Sequence, residues 1–167
     1  GRVFYANDSN LSTIFTNYFN GTLYQAGEQI NITFAELQWI EVDSSPVRNE
    51  QVIVLSYDVQ NTSAFVCNPA CGNFISLTTT IPAANVKAFD VEYEEVSGNA
   101  FVTYSANTDA THRYRSWDGT SWTSLSSGIE TDSYNPIHSM AVFDDGTGPD
   151  LYVAGDRTHQ RIDEVGD

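Results

Sequence analysis

Basic residues are scarce in this chain. Seven Lys and Arg stand against 22 Asp and Glu, and a single lysine, Lys87, is among the seven. The formal net charge is −15. Nucleic-acid binding needs a basic footprint, so that class is excluded. Attraction to anionic membrane surfaces is excluded on the same ground. Methionine occurs once, and Leu/Ala/Glu/Lys helical stretches are missing. No run of 18 apolar residues exists, so no hydrophobic helix inserts into a bilayer. The three histidines, His112, His138 and His159, lie too far apart to form a ligand motif. Also missing are a Gly-x-Ser-x-Gly elbow, a His-Glu-x-x-His pair, a phosphate loop and a dinucleotide fingerprint. The chain is read as non-enzymatic.

What is abundant points to strands. Hydrophobic residues make up 41% of 167 positions, which favours a folded chain with a core. Nine Phe, nine Tyr and three Trp, with Val, Ile and Thr, suit pleated surfaces. Phe89-Asp90-Val91-Glu92-Tyr93-Glu94 alternates strictly, predicting a strand with Asp90, Glu92 and Glu94 on a solvated face. Ala100 to Tyr104, His112 to Trp117 and Ser121 to Leu125 continue as strands. Asp118-Gly119 predicts a tight type I′ hairpin turn, because both residues tolerate positive φ. Four antiparallel strands in so short a span is the pattern of a propeller blade.

The pattern recurs. His138 to Phe143 and Leu151 to Ala154 predict one strand pair; Gln51 to Tyr57 and Ala64 to Cys67 predict another. Leu23-Tyr24-Gln25-Ala26-Gly27 matches Leu151-Tyr152-Val153-Ala154-Gly155. Trp39 to Ser44 resembles Trp122 to Ser127, with Phe74 to Thr79 as a weaker copy. The anchors Trp39, Phe74 and Trp122 lie 35 and 48 residues apart, near the ~40–50 residues of a four-stranded blade. The expected fold is all-β, built of antiparallel four-stranded propeller-like blades, with a β-sandwich as the alternative. The expected repeat units are 1–38, 39–87, 88–137 and 138–167, in one all-β domain or segment.

Cys67 and Cys71 sit in a turn-like Cys-Asn-Pro-Ala-Cys-Gly stretch. A disulfide is expected there, with free thiols as the alternative. So short a loop gives a bridge only about 2 kcal/mol in the chain-entropy picture. Zinc would need a second ligand pair, which the chain lacks. Five Asn-x-Ser/Thr sequons stand at Asn7, Asn10, Asn20, Asn31 and Asn61, all in the first 63 residues. Chance would place about two or three among 13 Asn, so the excess is modest. A Ser/Thr/Asn-rich β surface accounts for them as well as glycosylation does. Cysteines and sequons together suggest an extracellular or cell-surface protein. Gly1 to Tyr5 read as a strand rather than a start or a signal peptide, which suggests a segment of a larger pattern.

Arg115-Ser116-Trp117-Asp118-Gly119-Thr120-Ser121-Trp122, followed by Met140-Ala141-Val142-Phe143-Asp144-Asp145-Gly146-Thr147-Gly148-Pro149-Asp150-Leu151-Tyr152-Val153-Ala154-Gly155, carries a resemblance. It resembles the kelch-like β-propeller repeats of large secreted or surface proteins of bacteria and archaea. In those a Trp-Asp-Gly-x-x-Trp hairpin alternates with an Ala-Val-Phe-Asp-Asp-Gly…Leu-Tyr-x-Gly-Gly hairpin. The resemblance covers residues 88–155. Beyond it Arg161-Ile162 keeps to the pattern, and Asp163 to Asp167 depart from it. These repeats share no catalytic residues, so the resemblance implies a scaffold and not an activity.

Two candidate sites remain. Asp144, Asp145 and Asp150 surround a glycine-rich turn where calcium is conceivable, although carboxylates capping turn amides explain them more simply. Trp117 and Trp122 are candidates for stacking on sugar rings, although Trp beside a hairpin, like Trp39, is more often core. The reading that follows is a non-enzymatic extracellular structural or adhesive protein, self-assembling through open strand edges into a surface layer or filament. The alternative is a carbohydrate- or protein-binding propeller domain of a larger surface protein. A secreted glycoside hydrolase fragment ranks last, because 22 acids make any carboxylate pair uninformative.

Overall fold

The computed structural model describes residues 2–7, 10–31, 36–58, 61–68, 70–78, 87–106, 111–124, 129–130, 137–144, 149–155 and 159–162. All regular structure among them is β-strand. The first sheet holds β1 (Arg2–Asn7), β2 (Asn10–Phe19) and β3 (Tyr24–Asn31). The second holds β4 (Leu37–Ser44), β5 (Gln51–Tyr57), β6 (Asn61–Asn68) and β7 (Ala70–Thr78) in order. The third holds β8 (Phe89–Tyr93), β9 (Ala100–Ala106), β10 (Thr111–Trp117) and β11 (Trp122–Ser124), with β12 (Ile129–Glu130) also paired to β10. The fourth holds β13 (Ile137–Asp144), β14 (Pro149–Gly155) and β15 (His159–Ile162). Every pairing is antiparallel, and all but β10 with β12 join neighbours in sequence.

The sheets pack face to face in chain order, as propeller blades do. Each interface has its own apolar cluster. Ile14 of the first sheet meets Ile53, Leu55 and Phe65 of the second. Val52, Val54, Ala64 and Val66 on the other face of the second meet Phe89, Val91, Val102 and Trp117 of the third. Met140, Leu151 and Val153 of the fourth pack with Phe101 of the third. β5 therefore has both faces covered, which is why Val52-Ile53-Val54-Leu55 is an unbroken apolar run. Strand β8 touches β4 on one side and β13 on the other, so these first strands line up along the inner rim.

The contacts of β1 set its rank. It touches β4 as β5 touches β8 and as β9 touches β13. The cross-sheet rows Arg2–Tyr18–Gln25, Gln51–Cys67–Cys71 and Ala100–Trp117–Trp122 then correspond. The three strands of the first sheet thus occupy the second, third and fourth places of a blade. This removes one expected repeat: Trp39 lies on a first strand, whereas Phe74 and Trp122 lie on fourth strands. Likewise Tyr24 begins a fourth strand and Leu151 lies on a second. Those likenesses reflect shared strand composition.

The expected solvated face of β8 is also corrected. Asp90 and Glu94 are buried and Glu92 is half-buried, because the fourth sheet covers that side. Asp90 accepts hydrogen bonds from the Met140 amide and, at 3.1 Å, from Lys87, which also pairs with Glu41. Glu94 accepts from the amides of Val96 (2.8 Å) and Ser97. Burial pulls its carboxyl up, but those bonds prevail and hold it below the usual range. Alternating acids look alike in sequence whether they meet water or bonded neighbours.

The Asp118-Gly119 turn differs too. Trp117 pairs with Trp122, so the loop has four residues, and only Gly119 among them has positive φ (97°). Asp118 instead folds its carboxylate over the loop, accepting from the amides of Thr120 (2.7 Å) and Ser121 (2.8 Å). With the Thr120 hydroxyl, these bonds hold its carboxyl well below the ordinary value.

His112 on β10 is buried, and its Nδ1 lies 3.0 Å from the Ser105 hydroxyl. Burial lowers its pKa from 6.5. Below about pH 6.5 the unfolded chain binds a proton that the folded chain refuses until its own lower pKa is reached. Stability should therefore fall as pH drops through that window and stay level above it. Urea titrations between pH 7.5 and 5.5 should show the slope, reduced in His112→Gln. An unchanged slope in that variant would remove His112 from the account.

Candidate ligand cleft between the first and second sheets

A cleft of about 590 Å³ lies between the first and second sheets. Arg2, Thr16, Tyr18, Phe19, Ala26, Gly27 and Glu28 come from the first sheet. Asn49 of the β4–β5 connection and Gln51 at the start of β5 come from the second. The even-numbered positions of β1 and β2 put Arg2, Thr16 and Tyr18 on the face turned to the second sheet. Gly27 lets β3 approach β2 closely, since a Cβ there would meet the Thr16 carbonyl oxygen at 2.8 Å. The Thr16 hydroxyl accepts from the Glu28 amide at 2.8 Å and donates to its carbonyl at 3.3 Å. This fixes the backbone that carries Glu28.

Arg2 and Glu28 converge on one residue of the second sheet. Arg2 Nη1 lies 3.9 Å from Cys71 Sγ, and the Cys71 amide donates to Glu28 Oε2 at 3.4 Å. The structure joins Cys67 to Cys71, so Arg2 and Glu28 of the cleft both reach the disulfide hairpin beside it. The mouth is aromatic. Its lining residues Tyr18 and Phe19 are exposed, and the Tyr24 ring lies 5.2 Å from that of Phe19. Asn20 holds the intervening turn by accepting from the amides of Thr22 and Leu23, each at 3.0 Å. A guanidinium, a carboxylate and two side-chain amides beside ring faces can bind a small polyhydroxylated ligand: hydroxyls meet the charged groups and C–H faces meet the rings.

A second cleft, about 300 Å³, lies at the corresponding place between the second and third sheets. Glu50, Cys71, Asn73 and Trp117 line it. Its polar groups are already engaged. Glu50 Oε1 accepts from Arg48 Nε at 2.8 Å and from the Tyr93 hydroxyl and Trp117 Nε1, both at 3.2 Å. Burial and the adjacent carboxylate push the Tyr93 phenol far up, so it remains a donor. This network fastens the two sheets together.

The residues singled out from sequence fall elsewhere than this first cleft. Trp117 is 2% exposed and belongs to the core, so packing is its role. Trp122 is half-buried, its ring lies tilted against that of Trp117 with centroids 5.4 Å apart, and it donates to the Asn73 carbonyl at 2.9 Å. Asp150 is buried, while the side chain of Asp144 and all of Asp145 lie outside the described residues. No group of three or more His, Cys, Asp or Glu able to hold a metal occurs among the described residues. Asn20 is exposed and Asn61 half-buried; the side chains of Asn7, Asn10 and Asn31 lie outside the described residues. Arg2, Tyr18, Phe19, Glu28, Asn49 and Gln51 carried no sequence signal, because four strands and a loop bring them together.

Two solved structures share the fold. A point mutant of Aleuria aurantia lectin, a β-propeller, in complex with Fucα1-6GlcNAc aligns with a TM-score of 0.65 at 12% identity, over 98% of this chain and 58% of that one. The same mutant lectin with α-methyl-L-fucoside aligns with a TM-score of 0.65 at 13% identity, over 98% and 56%. The chain spans a little over half the length of that lectin. No family model and no curated protein matches it. At this identity the likeness establishes the architecture: all-β, antiparallel and propeller-like.

Proposed function

We propose that this chain is a non-enzymatic carbohydrate-binding propeller module of an extracellular or surface protein. The carrying observation is the cleft that sets Arg2, Glu28, Asn49 and Gln51 beside the exposed rings of Tyr18 and Phe19. The lectin of like fold, solved with fucosides, supports the choice of ligand class. Neutral sugars fit better than acidic ones. The chain carries a net charge of −15, and Glu28 stands inside the cleft, so an anionic glycan is repelled at long and short range.

Calorimetry with α-methyl-L-fucoside, Fucα1-6GlcNAc and a panel of neutral glycans tests this. Arg2→Ala removes charge-assisted hydrogen bonds and should weaken binding about tenfold or more. Phe19→Ala removes ring contact and should weaken it about threefold to tenfold. Trp122→Ala should leave it within about twofold. A panel without any binder, or affinity indifferent to Arg2→Ala, would overturn the assignment.

A further inference from the structure

Asn20 alone among 13 asparagines is followed by glycine. It opens the four-residue loop between β2 and β3, in which Asn20, Gly21 and Thr22 are exposed. Its side-chain oxygen accepts from the Thr22 and Leu23 amides, each at 3.0 Å. Two donors on that oxygen draw electrons from Cγ and stand where negative charge gathers when a nucleophile adds there. The nearest nucleophile along the chain is the Gly21 amide nitrogen, which closes a five-membered ring on Cγ. Gly21 has a φ of 102°, and a Cβ built on it meets nothing within 4 Å, so no side chain impedes that closure. The third sheet carries a matching loop that is poorly set up to react this way. Asp118-Gly119-Thr120-Ser121 joins β10 to β11, with the Asp118 carboxylate on the Thr120 and Ser121 amides and Gly119 at a φ of 97°. There the side chain is an ionised carboxylate, a poor electrophile. Gly119 is also hemmed in, since a Cβ on it would meet Arg48 Nε at 3.0 Å.

We propose that Asn20 is a site of spontaneous covalent modification, where ring closure by Gly21 converts the amide to aspartate or isoaspartate. The Gly21 N–Cγ bond forms, the Cγ–Nδ2 bond breaks, and the Gly21 proton leaves with Nδ2 as ammonia. Water, the sole co-reactant, then opens the ring. Opening at Cγ gives aspartate. Opening at the Asn20 main-chain carbonyl gives isoaspartate, with the chain running through Cβ. Nothing is oxidised or reduced, and each event adds one negative charge to the −15 already present. The aspartate product keeps the loop, since Asp118 holds its own loop with a carboxylate. The isoaspartate product lengthens the main chain beside Phe19, which lines the cleft. The effect on sugar rests on the cleft reading: isoaspartate chains should bind about threefold to tenfold more weakly, as Phe19→Ala does.

Peptide mapping by mass spectrometry tests this, on the intact chain aged at mildly alkaline pH, with the same chain unfolded in urea as the reference. Chain carrying no sugar on Asn20 is used, because a glycan would occupy Nδ2. The expected result is that Asn20 converts before the other asparagines, and at least as fast in the folded chain as in urea. Gly21→Ala should slow conversion about tenfold or more, because a methyl group crowds the attacking nitrogen. Should that variant fail to fold, Asn20→Gln keeps an amide but needs a six-membered ring, and position 20 should then stay unconverted. Slower conversion in the folded chain than in urea, conversion of another asparagine first, an unaffected rate in Gly21→Ala, or conversion persisting in Asn20→Gln would overturn the proposal. Mass is read without any sugar, so a chain that converts yet binds no glycan would overturn only the cleft reading.

Discussion

Replacing Glu50 with alanine should destabilise the fold by about 3–5 kcal/mol, because its partners stay buried and lose their acceptor. For a chain of this size that lowers Tm by about 10 °C. Glu50 is 1% exposed and draws Arg48, Tyr93 and Trp117 onto a single carboxylate oxygen. Arg48 in turn donates to the carbonyls of Ser97 and Gly98, so the network ties the second sheet to the third. Alanine leaves a guanidinium, a phenol and an indole N–H inside that interface. Glu50→Gln keeps an oxygen acceptor but turns an amide N–H₂ toward Arg48, and should cost about half as much. Urea unfolding monitored by tryptophan fluorescence gives both values. A Glu50→Ala chain within about 1 kcal/mol of wild type would mean the network does not form.

The second large effect separates the two tryptophans. Trp117→Ala should cost about 3–5 kcal/mol, since it empties a core position between Val52, Val66 and Ala100. Trp122→Ala should cost less, about 1 kcal/mol, because that side chain is only partly buried at the edge of the cluster. Trp117→Phe keeps much of the packing and removes the bond to Glu50, at about 1–3 kcal/mol. Its cost should shrink in the Glu50→Gln background, since the two side chains share one interaction. Equal losses from both alanine substitutions would contradict the assignment of Trp117 to core and Trp122 to rim.

The mistakes of sequence reading have one cause. Asp90, Glu92 and Glu94 alternate with apolar residues, and alternation normally signals one wet face. In stacked sheets the second face is covered by the next blade, and Asp90 survives there by binding the Met140 amide and Lys87. The alternation itself does not distinguish the two cases, because the strand that covers Asp90 contributes an amide 50 residues away, at Met140. Trp117 and Trp122 look equivalent around their hairpin, yet depth in the interface divides them.

Strand content, antiparallel order and the Cys67–Cys71 bridge were legible in the sequence, because they follow from neighbours a few residues apart. Side-chain period, β-branching and turn residues act locally, and consecutive antiparallel strands need no more. The ligand cleft was decided by tertiary structure alone. Arg2 and Glu28 are 26 positions apart in sequence and meet only where Cys71 of the neighbouring sheet brings them together. Val3, Tyr5 and Phe143 read as ordinary strand residues, and only the packing of the described sheets shows them exposed. Which face of a sheet is covered depends on the sheet beside it, and periodicity along one strand carries no record of that.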